Sequence, residues 1–234
     1  MRAAERVIVA LDAPSLVRAL RVARQLRGLV RCVKIGSILF AAEGPEAIRR
    51  MRALGFQVFL DLKFHDIPST VEKSCRAAVA HRVAMLTVHA MGEPAMLEAA
   101  VRGAREEAVR RRLVPPQVLG VTVLTSVGRS ASTAMRRRVV ALARRAKQAG
   151  LDGVVASAQE ARAVRRGWAR GLIVCPGIRP SGAAAADHAR VVSPAQAVAE
   201  GADRLVIGRP ITEARHPRRV AEQIMEELER GDRC

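Results

Sequence analysis

The 234-residue chain has no tyrosine, one tryptophan and four phenylalanines. Proteins that hold single-stranded nucleic acid stack bases on aromatic side chains, so this scarcity argues against such a partner despite a formal charge of +18. The basic residues are spread along the chain in short clusters, such as Arg110-Arg111-Arg112 and Arg136-Arg137-Arg138. Salt-dependent binding to mixed oligonucleotides would be needed to revive that reading. The four cysteines, Cys32, Cys75, Cys175 and Cys234, form no C-x-x-C pair and no metal-ligand spacing. They are expected to be unpaired thiols in a reducing compartment, with no metal site. No stretch approaches the roughly eighteen uncharged apolar residues of a membrane span. The first apolar run, at residues 7–10, is too short for a signal-peptide core, so a cytoplasmic protein is expected. Neither a G-x-G-x-x-G turn nor a Walker loop is present.

Lysine is scarce too. Only Lys34, Lys63, Lys73 and Lys147 stand against thirty-six arginines. Arginine stays protonated, whereas a lysine can give up a proton when its surroundings favour the amine. Lysines placed within strand-end motifs of so arginine-rich a chain invite a chemical explanation.

Short apolar or β-branched runs alternate with stretches of helical period. The runs cover residues 7–11, 32–36, 58–62, 86–89, 118–124, 153–156, 172–174 and 205–207. Helical stretches are expected at 15–27, 45–53, 70–80, 94–107, 135–149, 158–165, 194–200 and 217–228. Pro14-Ser15, Gly44-Pro45, Glu93-Pro94 and Ser193-Pro194 supply helix starts, and Gly150 and Gly201 supply stops. Eight strand–helix units in one chain of this length fit a single-domain (β/α)₈ barrel spanning residues 1–234, and fit a doubly wound sheet less well.

In such a barrel, polar residues at the C-terminal ends of the strands face the active site. Those ends carry Asp12, Lys34, the run from Asp61 to Asp66, His89, Thr125-Ser126, Arg179 and Gly208-Arg209. Asp61, Lys63 and Asp66 form D-x-K-x-x-D, a pattern expected on the order of 10⁻³ to 10⁻² times in a shuffled chain of this composition. Residues two apart on a strand share a face, so Asp61 and Lys63 are expected to point together into the barrel mouth, with Asp66 on the following loop. Loops after strands seven and eight often hold phosphate in barrels, which places Arg179, Gly208 and Arg209 at such a site. Guanidinium forks suit phosphate oxygens, and a glycine permits close approach.

The segment Asp61-Leu62-Lys63-Phe64-His65-Asp66-Ile67-Pro68 resembles the signature of the orotidine 5′-phosphate decarboxylase family, in its bacterial form. Supporting segments occur in the family's order: Ala10-Leu11-Asp12, Val33-Lys34-Ile35-Gly36, Thr87-Val88-His89-Ala90, Val123-Leu124-Thr125-Ser126, Pro176-Gly177-Ile178-Arg179-Pro180 and Val206-Ile207-Gly208-Arg209-Pro210. The resemblance spans about residues 7–212. It implies a carboxy-lyase that works without a cofactor, acting on orotidine monophosphate in pyrimidine nucleotide synthesis.

The resemblance further implies that Lys63 protonates the ring carbon once CO₂ has left. Lys34, Asp61, Lys63 and Asp66 would form an alternating charge array, with Asp66 and Thr70 supplied by the partner subunit of a homodimer. Asp12, Lys34, Asp66 and Thr70 would contact the ribose, and Thr125 with Ser126 would lie near the pyrimidine; His89 is expected to pack or hydrogen-bond behind the site rather than transfer a proton. His188 stands where relatives carry glutamine over the phosphate; its charge would favour phosphate binding at low pH. A related sugar-phosphate branch shares D-x-K-x-x-D but uses Mg²⁺ held partly by an acidic residue on strand two. Here that strand carries Lys34, a cation that repels a metal.

Overall fold

The computed structural model describes residues 3–124, 132–180 and 192–231. Eight parallel strands close into a barrel in sequence order, β1 pairing with both β2 and β8. They are β1 (Val7–Ala10), β2 (Cys32–Gly36), β3 (Gln57–Phe64), β4 (Met85–His89), β5 (Gln117–Val121), β6 (Gly153–Val155), β7 (Leu172–Pro176) and β8 (Arg204–Ile207). The helices are α1 (Ala3–Arg6), α2 (Leu16–Leu26), α3 (Ser37–Glu43), α4 (Pro45–Ala53), α5 (Pro68–Ala80), α6 (Pro94–Arg110), α7 (Thr133–Gln148), α8 (Ala158–Gly167), α9 (Pro194–Ala199), α10 (Arg209–Thr212) and α11 (Pro217–Gly231). The expected (β/α)₈ architecture is the one observed.

Local chemistry explains the helix starts. The side chains of Ser15, Ser132 and Ser157 accept from Arg18, Met135 and Gln159 backbone N–H groups at the heads of α2, α7 and α8. Ser193 and Gln196 form a reciprocal capping box on α9, behind which Pro194 fills the first helical position. Each such cap is worth about 1 kcal/mol. Gly150 and Gly201, just beyond α7 and α9, take the left-handed φ values of 79° and 101° that end a helix.

Two layers of apolar side chains divide the barrel. Ile8, Cys32, Phe59, Met85, Leu119, Val174 and Val206 fill its interior as one cluster. The alternate strand residues, including Val7, Val33, Val58, Leu86, Val118 and Ile173, join the helix faces in a larger outer cluster. This is the period-two alternation of a closed sheet. Each strand thus carries an inward column, and near the mouth the columns of β2, β3 and β4 turn polar: Cys32 is followed by Lys34, Phe59 by Asp61, and Met85 by Thr87.

Three departures from the sequence expectation have physical causes. Helix α3 starts directly after β2, with Gly36 as its extended N-cap, and leaves room for α4 to follow after Gly44. β5 ends at Val121, three residues before the expected 124. Both the backbone N–H and the hydroxyl of Thr122 go to the Val155 carbonyl, at 3.1 and 2.9 Å, and Val123 and Leu124 line a cavity instead. β3 runs on to Phe64, but only with a change of register against β4.

Cys32, Cys75 and Cys175 are free and buried, and burial pushes each thiol up to about 12. They are packing residues, inert near neutral pH; Cys234 lies outside the described residues. Among the described residues, no helix is long and apolar enough to cross a membrane.

Candidate active site

A cavity of about 330 Å³ opens at the C-terminal ends of the strands. That volume is within the range of small-molecule sites. Its wall has three parts. Asp12, Lys34, Asp61 and Lys63 come from the β1–β3 side; Val121, Val123, Leu124, Val155 and Ala156 from the β5–β6 side; and Gly177, Arg179, Gly208 and Arg209 from the ends of β7 and β8. The charged array and the arginines therefore occupy different arcs of one mouth, with an apolar arc between β5 and β6.

The array is tightly bonded. Lys34 Nζ lies 3.0 Å from Asp12 Oδ1 and 3.4 Å from Asp61 Oδ2. Lys63 Nζ reaches the same Asp61 oxygen at 3.0 Å. Lys34 is the enclosed member, its side chain 10% exposed, whereas that of Lys63 is 37% exposed to the cavity side. Gly36 makes the arrangement possible: a Cβ there would sit 2.9 Å from both Asp12 Oδ1 and Lys34 Nζ.

The route by which Lys63 reaches Asp61 differs from simple alternation. Leu60 pairs with Leu86 and Phe64 with Val88, so residues 61–63 of β3 stand against the single residue Thr87 of β4. Lys63 adopts φ 53°, the left-handed region that non-glycine residues rarely enter. Its backbone N–H donates to Thr87 Oγ1 at 2.9 Å, and the Thr87 hydroxyl donates to Asp61 Oδ1 at 3.0 Å. Asp61 and Lys63 do meet as expected, through a bulge. Thr87, wholly buried, is the residue that sequence reasoning left without a role. The signal was present: it follows Met85 by two on an inward column, as Asp61 follows Phe59.

His89 stacks on His65 with ring centroids 5.3 Å apart, and its Nδ1 lies 3.4 Å from the Met91 N–H. Burial first, then the charges of His65 and Lys63, lower its pKa from the usual value and favour the uncharged ring. It does not line the cavity. Asp66 is exposed, and its Oδ1 accepts from the Ile67 N–H at 2.6 Å; Thr70 is exposed one turn into α5. Neither lines the cavity of its own chain. Thr125, Ser126 and His188 lie outside the described residues.

The model of the orotidine 5′-phosphate decarboxylase / HUMPS family matches residues 5–224. The chain belongs to this family. It is 44% identical to an orotidine 5′-phosphate decarboxylase of Moorella thermoacetica, covering 98% of this chain and 94% of the relative. It is 47% identical to another of that name from Anaeromyxobacter sp. strain K, covering 96% and 98%. Among solved structures, orotidine 5′-phosphate decarboxylase from Lactobacillus acidophilus superposes with a TM-score of 0.82 at 32% identity, covering 96% of this chain and 99% of that one. An uncharacterized conserved protein from Geobacillus kaustophilus gives 0.80 at 34% identity, covering 95% and 99%.

Proposed function

We propose that this enzyme converts orotidine 5′-monophosphate to uridine 5′-monophosphate, the last step of de novo pyrimidine nucleotide synthesis, as a cytoplasmic homodimer. The observation that carries the reading is the sharing of Asp61 Oδ2 by two ammonium groups at the wall of a cavity that also presents Arg179 and Arg209.

The bond between the ring carbon and the carboxyl carbon breaks, CO₂ leaves, and the electron pair stays on the ring carbon. The Lys63 ammonium stabilises that charge and then transfers its proton to the same carbon. The amine recovers a proton from solvent. Substrate supplies the electron pair, and lysine, recharged from solvent, supplies the proton, so the reaction calls for no cofactor.

Asp61 holds Lys63 in place and faces the departing carboxylate. Two like charges about 4 Å apart at an effective dielectric near 20 repel by roughly 4 kcal/mol, which relieved in full is about three decades of rate. Asp61 already has Lys34 and Lys63 on one oxygen and the Thr87 hydroxyl on the other. Its charge is therefore largely met before substrate arrives, and stabilisation of the transition state by Lys63 is the larger effect.

Asp12 and Lys34 take the ribose, together with Asp66 and Thr70 of the partner subunit. The exposure of those two on their own chain suits use by a neighbour. Arg179, Arg209 and the Gly208 backbone hold the phosphate; roles for Thr125 at the pyrimidine and His188 at the phosphate rest on the family resemblance alone. The sugar-phosphate branch is disfavoured because Lys34 occupies the space between Asp12 and Asp61 where a divalent cation would need free carboxylates.

The test is to add orotidine monophosphate to the purified protein in excess EDTA and follow the ultraviolet change as uridine monophosphate forms. Turnover unaffected by EDTA is expected. No conversion, or conversion that EDTA abolishes and Mg²⁺ restores, would overturn the proposal.

A further inference from the structure

We infer that Thr87 is a positioning residue for proton delivery, acting through Lys63 and Asp61; the inference rests on the decarboxylation reading above. Where β3 carries residues 61–63 against Thr87 alone, the backbone N–H of Lys63 is left outside the ladder register with β4. An unpaired N–H in a partly buried place is costly, so something must accept from it. The Thr87 Oγ1 does so at 2.9 Å, in place of a ladder carbonyl.

That same oxygen carries the hydrogen given to Asp61 Oδ1 at 3.0 Å. One hydroxyl thus accepts from the backbone of the proton donor and donates to the carboxylate that orients it. The consequences are linked. The acceptor holds Lys63 at φ 53°, a conformation that needs support from its surroundings. The donor fixes Asp61 Oδ1, which leaves Oδ2 facing Lys34 and Lys63 at 3.4 and 3.0 Å. Without the hydroxyl, the Asp61 carboxylate is free to rotate and the Lys63 backbone is free to relax toward negative φ. Both changes move Lys63 Nζ, whereas Lys34 keeps its 3.0 Å contact to Asp12 and Arg179 and Arg209 make no contact with Thr87, so the effect falls mainly on the chemical step and less on ground-state binding.

A threonine that merely satisfied a bulge would stabilise the barrel without touching kcat of the folded protein. The full-length Thr87→Val and Thr87→Ser proteins separate the two roles, read by kcat and KM for orotidine monophosphate, by affinity for uridine monophosphate, and by their crystal structures. Thr87→Val is expected to lose about 10- to 100-fold in kcat, as a misplaced reacting group does, with KM and product affinity within about threefold. Its Lys63 leaves the positive-φ region. Thr87→Ser, which keeps the hydroxyl, restores kcat to within about threefold of the parent. If the valine protein does not fold, Thr87→Cys, with its weaker donor, should give an intermediate kcat.

A valine or cysteine variant with the parent's kcat overturns the inference. So does a serine variant as impaired as the valine one. Should the parent protein fail to convert orotidine monophosphate at all, the decarboxylase reading fails by itself. The crystal structures then still decide the role of Thr87: a valine variant that keeps Lys63 at positive φ, with Nζ still at the parent's distance from Asp61 Oδ2, contradicts it.

Discussion

Lys63 and Asp61, two residues apart on β3, are joined by a 3.0 Å ion pair across a bulge in the strand. A partly exposed pair of this kind adds little to stability. Its value is geometric: the carboxylate fixes where the ammonium points. The neighbouring Lys34 contact to the same oxygen means that neither lysine can move without changing the environment of the other.

A methyl group at Gly36 is predicted to disturb the Asp12–Lys34 pair. The Cβ of Gly36→Ala would lie 2.9 Å from both Asp12 Oδ1 and Lys34 Nζ, so the ends of these side chains must shift. The backbone φ of −94° suits alanine, and folding should be preserved. KM for orotidine monophosphate is expected to rise by about tenfold, the effect of losing roughly 1.4 kcal/mol of binding. A variant with unchanged KM would show that the spacing of Asp12 and Lys34 is unimportant to substrate.

The proposed use of Asp66 across a dimer interface makes a prediction about mixing. Lys63→Ala and Asp66→Ala proteins should each be nearly inactive alone. After equimolar unfolding and refolding together, half of the dimers are mixed and each has one site with both residues, so activity returns to about one quarter of the parent value. If Asp66 served its own chain, the mixture would stay as inactive as its components.

Much of this was legible in the chain. The sequence presents polar groups at seven strand ends after almost purely apolar strands, so Lys34 and Asp61 stood out; Thr125 and Ser126, at the end of strand five, lie outside the described residues. The bulge was not legible. D-x-K suggests two inward residues by alternation, yet Lys63 meets Asp61 through a left-handed backbone that only the pairing with β4 reveals. Thr87 was visible as part of Thr87-Val88-His89-Ala90, on the inward column of Met85, but its role was not: a threonine in a β-strand is ordinary, and only the pairing of β3 with β4 shows its hydroxyl bonded to two residues of another strand. Helix α3 escaped notice because its start is Gly36, which carries no capping side chain.

Away from the site, Glu107 on α6 sets part of the acid stability. The guanidinium of Arg110, then that of Arg111, holds its carboxyl down at about 2. An unfolded glutamate titrates near about 4.3. The depressed value therefore contributes stability that is fully present above the unfolded pKa and is lost as pH falls toward about 2. Melting temperatures between pH 6 and 2.5 should show the parent falling more steeply than Glu107→Gln, which starts lower and converges with it in acid. Parallel curves would mean that the ion pairs of Glu107 are equally present in the unfolded chain.

On the proposed reading the Lys63 ammonium performs the chemistry, and single-turnover conversion of orotidine monophosphate by the parent and by Lys63→Ala, with uridine monophosphate affinity measured alongside, tests it. Loss of charge stabilisation and of the proton donor together predicts a rate at least about four decades lower, with product affinity changed far less. A Lys63→Ala protein that still turned over within about tenfold of the parent would contradict the account.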